Sequence, residues 1–140
     1  MSSKALIYKF STSEDLSYMQ AMVADGTIKD INEPYDGYGT TALIYQCIFR
    51  KYKGHLERVR FLLGCHPPAK INIKDWYGRT CLHWAIYNGG GDDPDLVRLL
   101  VENGADSSIK NDYGDTALDW AKNYKYMFII YYFIDFSIRI

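Results

Sequence analysis

The chain has little of what would staple, export or anchor it. Its cysteines number only three, Cys47, Cys65 and Cys81, an odd count at wide spacing. That excludes a disulfide framework and fits thiols kept in a reducing compartment, cytoplasm or nucleus. No pair of them has the Cys-x2-Cys spacing typical of a zinc site. An excess of one charge is missing too: the formal net charge is -1 and the pI about 6.3. Such a balance gives no global attraction toward nucleic acid or an anionic membrane. The opening MSSKALIYKF carries no apolar run long enough for a secretory signal, and it has Ser2 where myristoylation requires glycine. The apolar run from Met127 to Ile134 is stopped by Asp135, well short of the roughly 20 residues that a membrane-spanning helix needs. The expectation is an intracellular chain with neither a nucleic-acid nor a membrane partner. At 140 residues, 48% of them hydrophobic, it has material for one domain with its own core.

What the chain does have is a repeat. Tyr38-Gly39-Thr40-Thr41-Ala42-Leu43 returns as Tyr77-Gly78-Arg79-Thr80-Cys81-Leu82 and again as Tyr113-Gly114-Asp115-Thr116-Ala117-Leu118, at spacings of 39 and 36 residues. In each copy the glycine permits a turn at positive φ, the threonine two residues on is a good N-cap, and the leucine begins an apolar helical face. Leu82, Ala85 and Ile86 continue that face in the middle copy, and Leu118 and Ala121 in the last. A second helix follows, marked by Val59, Leu62 and Leu63 in one unit and by Val97, Leu100 and Val101 in the next. Each unit is a turn followed by a helix pair.

This pattern resembles the ankyrin repeat, whose unit of about 33 residues reads roughly Asp-x-x-Gly-x-Thr-Pro-Leu-His-x-Ala and later Val-x-x-Leu-Leu-x-x-Gly-Ala-Asp. The middle unit carries the resemblance through Asp75, Gly78, Thr80, Leu82, His83, Ala85, Val97, Leu100, Gly104, Ala105 and Asp106. The motif proline is replaced throughout, by Ala42, Cys81 and Ala117, and the motif histidine survives only as His83, with Ile44 and Asp119 in its place elsewhere. The resemblance implies an all-α solenoid of stacked helix-turn-helix units with hairpin-like finger loops. It divides the single domain, residues 1–140, into an atypical opening repeat at 1–35 and repeats at 36–74, 75–110 and 111–140. The long spacings place insertions of about four residues near Arg50 to Lys53, about two near Pro67-Pro68 and about three between Gly89 and Asp93, in loops where extra length is tolerated.

At the two ends the pattern is weaker. Ser13 is expected to cap a helix with Glu14 and Asp15 in its first turn, an apolar stripe of Leu16, Met19 and Val23, and Gly26 at its end. Tyr124 to Ile134 is expected to be the last second helix, less polar than a capping helix should be and so in need of cover from the tail or from another molecule.

Several residue clusters invite a chemical reading. Cys81 and His83 stand at i and i+2 of one helix, about 200° apart around its axis, so they do not form a nucleophile and base. The resemblance makes His83 a structural hydrogen-bonding residue, and Cys81 and Cys47 read as small apolar fillers. Cys65, His66 and His55 lack the paired spacing of a metal site. The run Gly89 to Asp95 lacks the ligands of a calcium loop and the lysine of a phosphate loop. Asp93 as N-cap, Pro94 at N1 and Asp95 in the first turn initiate a helix instead. Arg50, Lys51, Lys53, Arg58 and Arg60 form a basic segment, read as a solvated loop and helix face or as a dock for an acidic partner.

The aromatic residues are less easily absorbed by building. In ankyrin arrays the finger tips and the outward residues of each first helix are where partners usually bind. Here the resemblance places Tyr38, Thr40, Trp76, Tyr77, Arg79, Asp112, Tyr113 and Asp115 in the fingers, and Phe49, Tyr87, Asn88, Asn123 and Tyr124 on the helices. Tyrosine, tryptophan and arginine are the residues enriched at interface hot spots. Gly39, Thr41, Leu43, Gly78, Thr80, Leu82, Gly114, Thr116 and Leu118, with His83, belong to the scaffold. The expected function is non-catalytic recognition of a protein partner with no cofactor. The alternative is a structural role in which the apolar C-terminal helix forms a homodimer.

Overall fold

A computed structural model describes residues 2–49, 53–89, 94–126, 129, 130 and 132. Seven helices run along the described chain: α1 (Ser3–Ser11), α2 (Leu16–Ala24), α3 (Ala42–Ile48), α4 (His55–Gly64), α5 (Cys81–Gly89), α6 (Pro94–Glu102) and α7 (Ala117–Asn123). The odd-numbered helices stack in order, α1 on α3, α3 on α5 and α5 on α7. Each of α2, α4 and α6 lies against the helix that precedes it, and α2 also meets α4. The result is a solenoid of helix pairs, one row inner and one outer.

The repeated residues do the work their chemistry suggests. Gly39, Gly78 and Gly114 adopt φ of +78°, +76° and +83°, the left-handed region that glycine enters without strain. Thr41 and Thr116 cap α3 and α7 by accepting the amides of Ile44 and Asp119 at 3.3 and 3.0 Å. Asp119, which stands where the motif has histidine, accepts the Thr116 amide in return at 2.9 Å and closes a capping box. Ala42, Cys81 and Ala117, in place of the motif proline, are the first residues of their helices and are buried. Leu43, Leu82, Ala85, Ile86, Val59, Leu62, Val97, Leu100 and Val101 form one continuous core with Cys47 and Ala121. Burial of each large aliphatic side chain there contributes on the order of 2 kcal/mol.

The opening 35 residues hold a complete helix pair rather than one helix. α1, capped by Ser2 Oγ at 3.2 Å from the Ala5 amide, is the inner member and was not legible, because no copy of the turn motif precedes it. Ser13 is not the cap of α2. Asp15 is, accepting from the Tyr18 amide, while Ser13 Oγ accepts the Asp15 amide at 3.0 Å. The buried stripe is Met19 and Met22, with Val23 half-buried.

The last unit also differs from expectation. Tyr124 ends α7 instead of beginning a second helix, Lys125 takes φ 58°, and helical backbone recurs within the expected span at Ile129, Ile130 and Tyr132. Ile129 beyond it is buried, and Ile130 and Tyr132 pack on the core. This part of the C-terminal segment faces the array and gives no support to a homodimer through it. The rest of that segment, with Phe133 and the tail, lies outside the described residues, as do Arg50, Lys51 and the Asp93 cap.

Arg58 corrects the basic segment. Its side chain is fully enclosed, 1% exposed. Nε donates to Gln46 Oε1 at 2.7 Å, and Nη1 donates to the carbonyls of Glu14 and Lys53 at 2.8 and 2.9 Å. Gln46 in turn donates to the carbonyls of Ser11 and Ser13. A buried guanidinium therefore joins the first helix pair to the second, and it is no part of a solvated dock. Lys53 and Arg60 remain exposed. Asparagines tie the connecting loops in the same way. Asn32 Oδ1 accepts the Lys70 amide, and Asn72 bonds both the amide of Asp106 and the carbonyl of Gly104.

Candidate functional site

Each finger is built on one short polar side chain two residues before the tyrosine. Asp36 Oδ1 accepts the amides of Tyr38 and Thr40, Asp75 Oδ1 those of Tyr77 and Arg79, and Asn111 Oδ1 those of Tyr113 and Asp115, all between 2.9 and 3.0 Å. The turn is thus closed by its own side chain, and the finger is set before any partner arrives. Successive fingers are also bonded to one another: the Trp76 amide donates to the Tyr38 carbonyl at 2.8 Å and the Asp112 amide to the Tyr77 carbonyl at 3.0 Å.

The tips carry the expected aromatics into solvent. Trp76 is 67% exposed and Tyr113 82%, with Tyr38 and Tyr77 also exposed and their rings stacked at 6.3 Å. Thr40 departs from expectation. At 6% exposure it sits in the base of its finger, where its carbonyl accepts the Tyr35 amide, so it offers a partner almost no surface. Arg79 and Asp115 are half-buried, and Asp112 is exposed.

Between the first two fingers and the helices α3 and α5 lies an open groove of about 470 Å³, lined by Tyr35, Asp36, Tyr38, Thr40, Ile48, Phe49, Tyr77, Arg79 and Trp84. It brings together Tyr38, Phe49, Tyr77 and Arg79 from the sequence-derived set. Arg79 is held from three sides. Nε donates to Asp75 Oδ2 at 2.8 Å, and the guanidinium lies 4.3 Å from the centroid of Trp84 and 4.9 Å from that of Tyr77. Trp84 Nε1 donates to the same Asp75 oxygen at 3.3 Å. The Tyr35 phenol is pushed above its ordinary pKa, first by burial and then by the neighbouring Asp36 carboxylate, so it stays neutral.

Tyr87 and Tyr124 extend the aromatic surface along the inner row, with ring centroids 5.8 Å apart, and Trp120 touches Tyr87 at 5.7 Å. Asn123 is exposed beside them and Asn88 half-buried. Tyr45, Trp84 and Trp120 were missed although each lies seven residues after its finger tyrosine. That shared offset was a readable signal for an aromatic row on the inner helices.

His83 and Cys81 part company in the fold. The Cys81 thiol donates to the Ile71 carbonyl at 3.2 Å. His83 Nδ1 accepts the Thr80 amide at 3.1 Å, which leaves Nε2 to donate to the Asp115 carbonyl at 2.9 Å and so to fasten the third finger to the second unit. Burial lowers the imidazole pKa below its ordinary value, outweighing the Asp115 carbonyl that raises it. A histidine whose folded pKa is depressed binds fewer protons folded than unfolded, so stability is full above the unfolded value near 6.5 and falls as pH drops through it toward the folded value. Chemical denaturation at pH 7.5 and pH 5 is expected to show that loss in the native chain, and a flatter profile in His83→Gln, which also costs about 2 kcal/mol at pH 7.5. An unchanged profile in the variant would remove His83 as the cause.

Among the described residues no group of three or more histidine, cysteine or acidic side chains is placed to hold a metal, and no helix is long and apolar enough to cross a membrane.

Comparison with known proteins agrees with this architecture. A family model described as ankyrin repeats (3 copies) matches residues 4–111 and 51–139. The crystal structure of EF0377, an ankyrin repeat protein, superposes with a TM-score of 0.72 at 31% identity, covering 90% of this chain and 60% of that one. Inversin-B of Xenopus laevis is 36% identical over 64 residues, 46% of this chain and 6% of that protein. The human palmitoyltransferase ZDHHC17 is 35% identical over 81 residues, 56% of this chain and 12% of that protein. A putative ankyrin repeat protein of Rickettsia bellii is 41% identical over 56 residues, 39% of this chain and 30% of that protein. The chain thus spans less than a third of each of these curated relatives.

Proposed function

The chain belongs to the ankyrin-repeat family, and from that premise we propose that it binds a protein partner through its finger tips and the aromatic groove beside them, without catalysis or cofactor. Ankyrin repeats are generally protein-protein interaction modules. The observation that carries the reading here is the run of exposed aromatics, Tyr38, Trp76, Tyr77 and Tyr113, on fingers already closed by Asp36, Asp75 and Asn111. Large rings held on prebonded turns bury area on docking while losing little conformational freedom, which is what makes a surface efficient for recognition. Three free, buried cysteines support a reducing cytoplasmic or nuclear setting.

The test compares partners captured by the native chain, by Trp76→Ala/Tyr77→Ala and by Arg60→Ala on the outer row. The double variant is expected to keep its melting temperature within a few degrees and to lose at least one partner that the native chain and Arg60→Ala retain. An unchanged set of partners in a folded double variant would sink the reading.

A further inference from the structure

Arg79 is the side chain that neither the repeat nor the turn requires. Its equivalents in the other fingers are Thr40 and Asp115, so the scaffold stands without a guanidinium at this position. Yet this one is fixed on three sides, by Asp75 through Nε and by the faces of Trp84 and Tyr77. Only Nε has an acceptor among the described residues, and the Nη1 and Nη2 edge has none. Asp75 offers that edge nothing more, because its two oxygens already take the amides of Tyr77 and Arg79, Arg79 Nε and Trp84 Nε1. Four N–H donors therefore border the open groove with no acceptor among the described residues.

We propose that the groove takes an extended segment of the partner that sets one aspartate or glutamate carboxylate on the Nη edge of Arg79 and the neighbouring apolar side chain against Tyr38, Ile48 and Phe49. A planar guanidinium matches a carboxylate with two parallel hydrogen bonds, and a side chain already immobilised loses little freedom in making them. The aromatic wall and Ile48 provide the apolar half of the subsite. Among the described residues Asp36 and Arg79 are the charged side chains of the lining, and next to an acidic neighbour the guanidinium suits one carboxylate better than a phosphate dianion. The inference rests on the groove being the recognition surface and adds which chemistry it selects.

Random twelve-residue peptides displayed on beads and selected against the native chain, Arg79→Gln, Arg79→Lys and Trp76→Ala/Tyr77→Ala test it. The native chain is expected to enrich a single acidic residue beside an aliphatic or aromatic one, and replacing that acid by its amide is expected to weaken a selected peptide about tenfold or more. Arg79→Gln is expected to lose both the acidic preference and the tenfold difference. Arg79→Lys, with charge but no planar fork, is expected to keep the preference at reduced affinity. Melting curves and the Trp84 indole resonance show whether each variant keeps the fold. If the selected peptides lose binding in the double variant yet show no acidic preference, or keep it in folded Arg79→Gln, the carboxylate subsite is wrong and the recognition surface stands. Selected peptides that the double variant still binds, or a failure to select any, overturn both.

Discussion

Gly78→Val is expected to destabilise the chain by about 4 kcal/mol, whereas the same replacement at Gly114 is expected to cost only about 1.5 kcal/mol. Both residues sit at left-handed φ, +76° and +83°, where a side chain is strained by roughly 1–2 kcal/mol. The two sites differ in what a Cβ would meet. At Gly114 nothing lies within 4 Å, but at Gly78 the atom would stand 2.7 Å from Asp112 Oδ1 and 2.9 Å from the Asp112 amide. That amide is the donor to the Tyr77 carbonyl, so a Cβ at position 78 pushes the third finger off the second and forces the packing between units apart, a further cost of about 2–3 kcal/mol. Urea denaturation of the two variants checks this. Equal losses would mean that the fingers are independent turns rather than one bonded row.

Arg58→Met is expected to cost about 3 kcal/mol and to release the first helix pair before the rest. Methionine fills much of the space of the arginine stem but leaves Gln46 Oε1 and the carbonyls of Glu14 and Lys53 without their donor in a site closed to water. Stranded buried acceptors cost on the order of 1–3 kcal/mol each before any relaxation. Because each unit of a solenoid is held by its neighbours, the effect is local. Hydrogen exchange is expected to speed in α1 and α2 while α5 to α7 keep their protection. Uniform loss of protection, or none, would show that Arg58 is not the tie between the first two helix pairs.

These two residues also mark where the sequence was readable and where it was not. Gly78 stands in a motif that occurs three times, and repetition turns a weak local preference into a strong one. The caps Thr41 and Thr116, the leucines that follow and the positive-φ glycines were legible for that reason. Arg58 looked like one cation in a basic run. It lies on the same helical face as Val59 and Leu62, but its burial depends on acceptors from Glu14 and Gln46, 44 and 12 residues away, which periodicity does not reveal. α1 was hidden by the same lack of a preceding motif. Within the recognition surface the exposed tips Trp76, Tyr77 and Tyr113 followed from the repeat register. Thr40 did not, because it is folded into the base of the first finger, its amide bonded to Asp36 Oδ1 and its carbonyl to the Tyr35 amide. The aromatic row of Tyr45, Trp84 and Trp120 is written in the register, seven residues after each finger tyrosine, but half-buried rings on a helix carry no signature that separates a groove wall from core.

The central claim is that partners dock on the fingers and the inner row. A photocrosslinking amino acid placed at Tyr77, Tyr113 or Tyr87, and for comparison at Arg60 or Glu102 on the outer row, tests it directly in a partner-containing extract. Covalent adducts are expected from positions 77, 113 and 87 and little from 60 or 102. Adducts that form from the outer row as readily as from the fingers would contradict the account.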